Sequence, residues 1–204
     1  MKEKTCLITG ANAGIGKETA IGLAQLGAKV IIVSRNEKKG QKALQEIIKK
    51  TGNNQVELLT ADFASFESVK KLSEDFKSKY SNLHVLINNA GTFFSELVYS
   101  KDGIEMQFAV NHLAPFLLTN LLLDTLKKSS SSRIINVSSK LHYRGSMDFD
   151  DLYLKAQSAE RLAHGVLRHA PCALRYNKFQ KNSLMSRTQY AMRYALCALR
   201  LMYG

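Results

Sequence analysis

The stretch Lys4-Thr5-Cys6-Leu7-Ile8-Thr9-Gly10-Ala11-Asn12-Ala13-Gly14-Ile15-Gly16-Lys17 constrains this chain more than any other. Thr5 to Thr9 is an apolar, partly β-branched run that breaks at Gly10, which predicts a short buried strand. From Ile15 the period becomes helical, and Ile15, Ala20, Leu23, Ala24 and Leu26 are spaced to cover one face. Three glycines at the join are spaced Gly-x-x-x-Gly-x-Gly. Glycines in that spacing also serve ordinary tight turns. Between a strand and a helix, however, the turn aims backbone N–H groups outward at the positive end of a helix dipole. That makes an anion site, and the missing Cβ atoms let a pyrophosphate approach closely.

A length of 204 residues suits one α/β domain, and 45% hydrophobic with 23% charged residues is ordinary for a globular protein. Cys6, Cys172 and Cys197 show no metal spacing; Cys6 falls in the first strand and reads as a buried, inert thiol of a reducing compartment. The chain opens Met1-Lys2-Glu3-Lys4 and enters a strand at once, so no signal peptide is expected, and its longest apolar runs are too short to span a bilayer. The expected setting is cytoplasmic, with contact to a membrane surface left open. The net charge of +12 is concentrated late in the chain, and no acidic residue occurs after Glu160. Such a basic end would meet nucleic acid or an anionic membrane surface. Equally, the shift marks residues 153–204 as a different kind of sequence from residues 1–152.

A second strand, Ala28 to Val33, ends in Ser34-Arg35-Asn36. An acidic residue there would accept from the ribose hydroxyls of NAD, whereas arginine suits a 2′-phosphate. Apart from a solvated turn, the functional reading is therefore NADP(H) in preference to NAD(H). Asn36 caps a basic helix through Lys50 with Ala43, Leu44, Ile47 and Ile48 inward, and a third strand spans Gln55 to Thr60. Asp62, in Ala61-Asp62-Phe63, is placed either to accept from an adenine amino group or to cap the helix expected over Phe66 to Tyr80. A fourth strand, Leu83 to Ile87, runs into Asn88-Asn89-Ala90-Gly91, where small residues admit a cofactor and the asparagines tie the loop to a neighbouring strand. One helix is expected over Gly103 to Lys128, kinked at Pro115 and carrying a polar Asn111. The fifth strand, Arg133 to Val137, ends at Ser138-Ser139. Alternating strands and helices predict a doubly wound parallel sheet of Rossmann type, strand order 3-2-1-4-5, with ligands at the carboxyl ends.

Four motifs in this order give a resemblance to the short-chain dehydrogenases/reductases, in particular the retinol-dehydrogenase-like branch. They are Thr-Gly-x-x-x-Gly-Ile-Gly at Thr9 to Gly16, Asn-Asn-Ala-Gly at Asn88 to Gly91, Asn-His-Leu-x-x-Phe at Asn111 to Phe116, and Asn-Val-Ser-Ser at Asn136 to Ser139. The resemblance covers roughly residues 3–152, the latter part including Met147 to Leu152. It implies a hydride exchange between a nicotinamide cofactor and a small-molecule carbonyl or alcohol, lipophilic in this branch, and it implies homo-oligomers. Ser139 would hydrogen-bond the substrate oxygen, and Asn111 would hold helix geometry and a water for proton relay. The implied cofactor site comprises Gly10, Asn12, Ala13, Gly14, Ile15 and Gly16, then Ser34, Arg35 and Asn36, then Asp62 and Phe63, and Asn89, Ala90, Gly91, Val110 and Val137.

The family's catalytic tyrosine, with a lysine four residues on, has no counterpart: no tyrosine of this chain is followed by lysine at that spacing. Near the expected place stand His164 and Arg168, four apart, with Gly165 inside the interval. The strands that come after the catalytic helix in the family are missing as well. A reading-frame change shortly after Leu152 accounts for the charge shift and the lost motifs together. Without the pair, the alternative is a nucleotide-binding or interaction protein that keeps half of the family's site. Arg187, Arg193 and Arg200, with Tyr190, Tyr194, Cys197 and Leu201, predict a basic amphipathic helix, one that would lie on the open edge of the sheet.

Overall fold

The computed structural model describes residues 1–139, which fall within the first of two compact units, Met1–Ala173. The second unit, Leu174–Gly204, lies outside the described residues. So do the expected basic helix, the His164–Arg168 pair and the boundary at residue 152.

Five strands form one parallel sheet in the order β3-β2-β1-β4-β5. They are β1 (Thr5–Thr9), β2 (Lys29–Ser34), β3 (Val56–Thr60), β4 (Val85–Asn88) and β5 (Arg133–Asn136). This is the doubly wound order that the sequence predicts, with each expected strand found to within two residues at either end. β1 sits at the centre, every residue buried, with Leu7 in register with Ile31 on one side and Leu86 on the other. Side chains alternate between the faces. Cys6 and Ile8, Val30 and Ile32, and Val85 and Ile87 join a core cluster with α1 (Gly14–Gln25) and α2 (Glu37–Thr51). Leu7, Ile31 and Leu86, also fully buried, therefore point to the opposite face. There α3 (Phe66–Lys79) and α5 (Ala114–Leu121) contribute Val69, Leu72, Phe76, Leu117 and Leu118. Cys6 is the buried thiol expected; burial pushes it up to about 11, so it stays protonated at neutral pH.

Two expectations fail. Ile15 and Leu26 are 69% and 59% exposed, and the buried face of α1 is Gly16, Ala20, Ile21 and Ala24. A helix that lies close on a sheet buries its small residues, and Ile15, in the first turn, is left at the open carboxyl end. The single helix of residues 103–128 is instead a turn at Gly103, α4 (Met106–Phe108), a π-helical turn (Ala109–Leu113), α5, and α6 (Leu123–Lys128). Pro115 explains the π turn. In an α-helix the Asn111 carbonyl would accept from residue 115, and proline has no N–H to give. The widened π turn falls on Asn111 and its neighbours, so Pro115 sits in the first turn of α5, where that N–H is not needed.

His112 in the π turn is buried, with its ring stacked on Phe108 at 5.3 Å between centroids. Burial pulls its pKa down to about 4. The folded chain holds it neutral while the unfolded chain takes up a proton near the ordinary histidine value. Stability present above that value is therefore lost as pH falls toward 4. Urea unfolding at about pH 7 and about pH 4.5 should show this loss, and His112→Phe should remove about 2 kcal/mol of the difference between the two pH values. Parallel losses in parent and variant would show that His112 does not carry it.

Candidate cofactor and active site

The carboxyl ends of β1 and β4 meet at a main-chain seam. Gly10 has φ +66°, and a Cβ there would lie 2.8 Å from the Cα of Ala90. A Cβ on Gly16 would lie 2.7 Å from the Gly10 carbonyl oxygen. Glycine is thus required at both places by close approach. Thr9 Oγ1 accepts from the N–H groups of Asn89 and Ala90, each at 2.9 Å. Asn89 Nδ2 donates to Thr9 O at 2.8 Å and to Gly10 O at 3.3 Å, while Asn88 Nδ2 donates to Asn136 Oδ1 at 2.8 Å on β5 and to Thr119 Oγ1 at 3.2 Å on α5. The two asparagines tie the loop to neighbouring strands in the manner their position suggests.

Helix capping separates α1 from its neighbours. Asn36 Oδ1 accepts from Lys39 N at 2.9 Å to cap α2, and Ser65 Oγ accepts from Ser68 N at 3.4 Å to cap α3. The residue before α1 is Ala13, which has no acceptor, and its first turn carries no acidic side chain. The N–H groups of that first turn are left for an anion or water. α1 is also the helix that comes after the Gly10 turn.

A cleft of about 440 Å³ opens beside this seam, at the carboxyl ends of β1 to β4. Of the residues expected from sequence, Gly10, Asn12, Ser34, Arg35, Asn36, Asp62, Phe63, Asn89, Ala90, Gly91 and Val110 line it. Ala13, Gly14, Ile15, Gly16 and Val137 do not, and neither do Asn111 and Ser139. Val33, Lys39, Ala61, Ala64, Thr92, Phe94 and Met106 line it as well and were missed. Lys39 had a signal, since it lies one helical turn beyond Asn36; Phe94 and Met106 come from a stretch with no pattern.

The chemistry of the cleft is uneven. Arg35 and Lys39 bring two cations to its β2 wall, and Ser34 Oγ there donates to the Asn36 carbonyl at 2.9 Å. Asp62 supplies a carboxylate to the β3 wall. Burial pushes its carboxyl up, but the Ala64 N–H, the Lys101 ammonium and Arg35 outweigh that and hold it below the usual carboxylate range. Asp62 does not cap α3; its Oδ1 accepts from Ala64 N at 3.1 Å. Asn111 forms a reciprocal pair with Thr92, accepting from its N–H at 2.7 Å and donating to its carbonyl at 2.9 Å. Its side chain thus fixes the loop after Gly91. Val137 N donates to Asn88 O at 2.9 Å, and Ser139 stands exposed past the end of β5.

A parallel sheet in this order, with an uncapped helix after a glycine turn and a cleft at the strand ends, defines a Rossmann-type dinucleotide-binding domain. The family model for short chain dehydrogenases matches residues 4–149. The chain belongs to that family, in its retinol-dehydrogenase-like branch. Mouse retinol dehydrogenase 11 is 47% identical over 149 residues, covering 73% of this chain and 47% of the relative. Human polyprenol dehydrogenase is 40% identical over 179 residues, covering 86% and 54%, and that likeness extends past residue 152. The chain thus spans about half the length of the curated relatives it matches. Among solved structures, an uncharacterised protein from Mycobacterium paratuberculosis superposes with a TM-score of 0.67 at 37% identity, covering 76% of this chain and 53% of that one. A short chain dehydrogenase from Escherichia coli CFT073 in complex with NADPH gives a TM-score of 0.62 at 28% identity, covering 80% and 68%. The described helices include none long and apolar enough to cross a membrane.

The seam is open to a direct test. Thr9 is fully buried, and Thr9→Val keeps its shape while leaving the Asn89 and Ala90 N–H groups without their acceptor. Stability in urea should fall by about 2–3 kcal/mol. A loss below about 0.5 kcal/mol would mean that water replaces the hydroxyl and the seam is not held by it.

Proposed function

We propose that this chain binds NADP(H) in preference to NAD(H), and that it is an oxidoreductase of carbonyls and alcohols with a lipophilic substrate. The observation that carries the cofactor reading is the β2 wall of the cleft, where Arg35 and Lys39 stand beside Ser34 and no carboxylate ends the strand. A ribose 2′-phosphate is dianionic and suits the two cations; a bare 2′-hydroxyl would want the acid that is missing. The residues fit the rest of such a cofactor. The uncapped first turn of α1, next to the cleft, would take the pyrophosphate, the Gly10–Ala90 approach would leave no Cβ in its way, and Asp62 would accept from the adenine amino group. When bound, the nicotinamide supplies the hydride chemistry. Ser139 is the residue assigned to hydrogen-bond the substrate oxygen. Asn111, its amide committed to Thr92, acts by holding the loop and the π turn in place. Retinol and polyprenol, which name two of the relatives, are apolar alcohols, and this supports the lipophilic class.

A second reading, nucleotide binding without turnover, is favoured by one fact: no tyrosine is followed by lysine four residues on. A positioned proton donor contributes about 10²- to 10⁴-fold to such a reaction. With retinaldehyde and NADPH as probes, turnover should fall below that of a relative carrying the pair by about that factor. Binding is tested separately. Calorimetry on the 204-residue chain should show NADPH binding more tightly than NADH, and Arg35→Asp should cost NADPH about tenfold and reverse the order. Equal binding of the two cofactors by the parent chain would refute the preference.

A further inference from the structure

Among the described residues, the one carboxylate lining the cleft is held from behind by a turn that takes no part in lining it. Between β4 and α4 the chain makes a turn at Ser100 to Ile104, closed by Ser100 N donating to Ile104 O at 2.7 Å and Ile104 N to Ser100 Oγ at 3.2 Å. This turn is fastened to the corner between β3 and α3 at three points. Lys101 N donates to Ala64 O at 2.9 Å, Phe66 N donates to Asp102 Oδ2 at 2.9 Å, and Lys101 Nζ stands 3.0 Å from Asp62 Oδ2. Asp62 lines the cleft and Lys101 does not.

The Lys101 side chain is 68% exposed, and an ion pair that open stabilises a fold little. Its effect on direction is larger. Asp62 Oδ1 is fixed by Ala64 N and Oδ2 by the ammonium, so both oxygens of the carboxylate are held. An ionised carboxylate offers about four acceptor sites, two per oxygen, which leaves one on each for a donor inside the cleft. The lysine is a point charge on a flexible stem, but its main chain is pinned to Ala64. From these contacts we propose that Lys101 is a positioning residue for the cofactor's base. It holds Asp62 in the orientation that accepts from a purine 6-amino group, and so makes the cleft select adenine over a 6-oxo purine. The 6-oxo base would set an acceptor against the carboxylate, a repulsive contact as well as a lost bond.

The inference rests on the proposal that the cleft binds NADP(H), and its test separates the two. The full chain is titrated with NADPH and with reduced nicotinamide hypoxanthine dinucleotide phosphate, which differs at the purine 6-position. The parent should prefer NADPH by about tenfold, and Asp62→Ala should abolish the preference. Lys101→Met should bring the two affinities within about twofold, and Lys101→Arg should restore most of the difference. Should Lys101→Met not fold, Lys101→Gln is read by the same ratio. A variant that weakens both cofactors equally, or keeps the parental ratio, overturns the inference and leaves NADPH binding standing. A parent that binds both alike also overturns it; a parent that binds neither overturns the cofactor reading with it.

Discussion

The site depends on one close approach, that of the Gly10 turn to Ala90. With a Cβ on Gly10 only 2.8 Å from the Ala90 Cα, β1 and β4 could not bring their carboxyl ends together. With the pair of small residues in place, a single threonine hydroxyl accepts from two successive N–H groups, and the Asn89 amide reaches back to the Thr9 and Gly10 carbonyls. Polar backbone at the end of a buried parallel sheet has little water available, so these bonds are obligatory rather than decorative. Everything that lines the cleft from β1 and β4 takes its position from this seam. The cleft's other walls are set by the next neighbours outward, β2 with Ser34 and Arg35 and β3 with Asp62.

Much of the fold was legible because buried parallel strands are written as continuous apolar runs, and Thr5–Thr9 and Lys29–Ser34 are such runs. The rule that ligands lie at carboxyl strand ends then located most of the cleft lining. Helix faces were less legible. In α1 Ala20 and Ala24 are buried as expected, whereas Ile15 and Leu26 face out and Gly16 and Ile21 complete the buried face. Hydrophobicity alone does not carry the distance at which a helix packs. The segment around Asn111 failed for a different reason. A proline acts on the carbonyl four residues before it, so its break falls upstream, at the π turn, and not at Pro115 itself. Phe94, Met106 and Lys101 reach the site through long-range loop contacts, such as Lys101 to Ala64, that have no local period to read.

Electrostatics sorts the three long helices by task. α2 and α3 carry side-chain caps and an acidic residue in the first turn, Glu37 and Glu67, which neutralise the positive end of the dipole within the protein. α1 has neither. A cap on α1 would add about 1 kcal/mol to stability. Its omission leaves the donors and the dipole for a ligand. Lys39 makes the complementary case at α2. A cation in a helix's first turn is misplaced with respect to the dipole, and here it lines the cleft together with Arg35. Both features lower the stability of the chain by itself, and both would favour an anionic ligand.

The same topology separates the residues that line the cleft from Ser139. In a doubly wound sheet the strands on one side of the switch point, β1, β2 and β3, are joined by short crossovers early in the chain, and they wall the cleft together with β4, the loop after it, α4 and the π turn. Ser139 comes after the last described strand, and β5 is exposed along its whole length, with Ile134 and Ile135 at 40% and 45%. The cleft therefore draws on residues from Gly10 to Val110, whereas Ser139 stands outside it. The hydrogen bonds that shape the seam and hold Asp62 come from Thr9, Ala64, Asn89, Ala90 and Lys101, all well before Ser139.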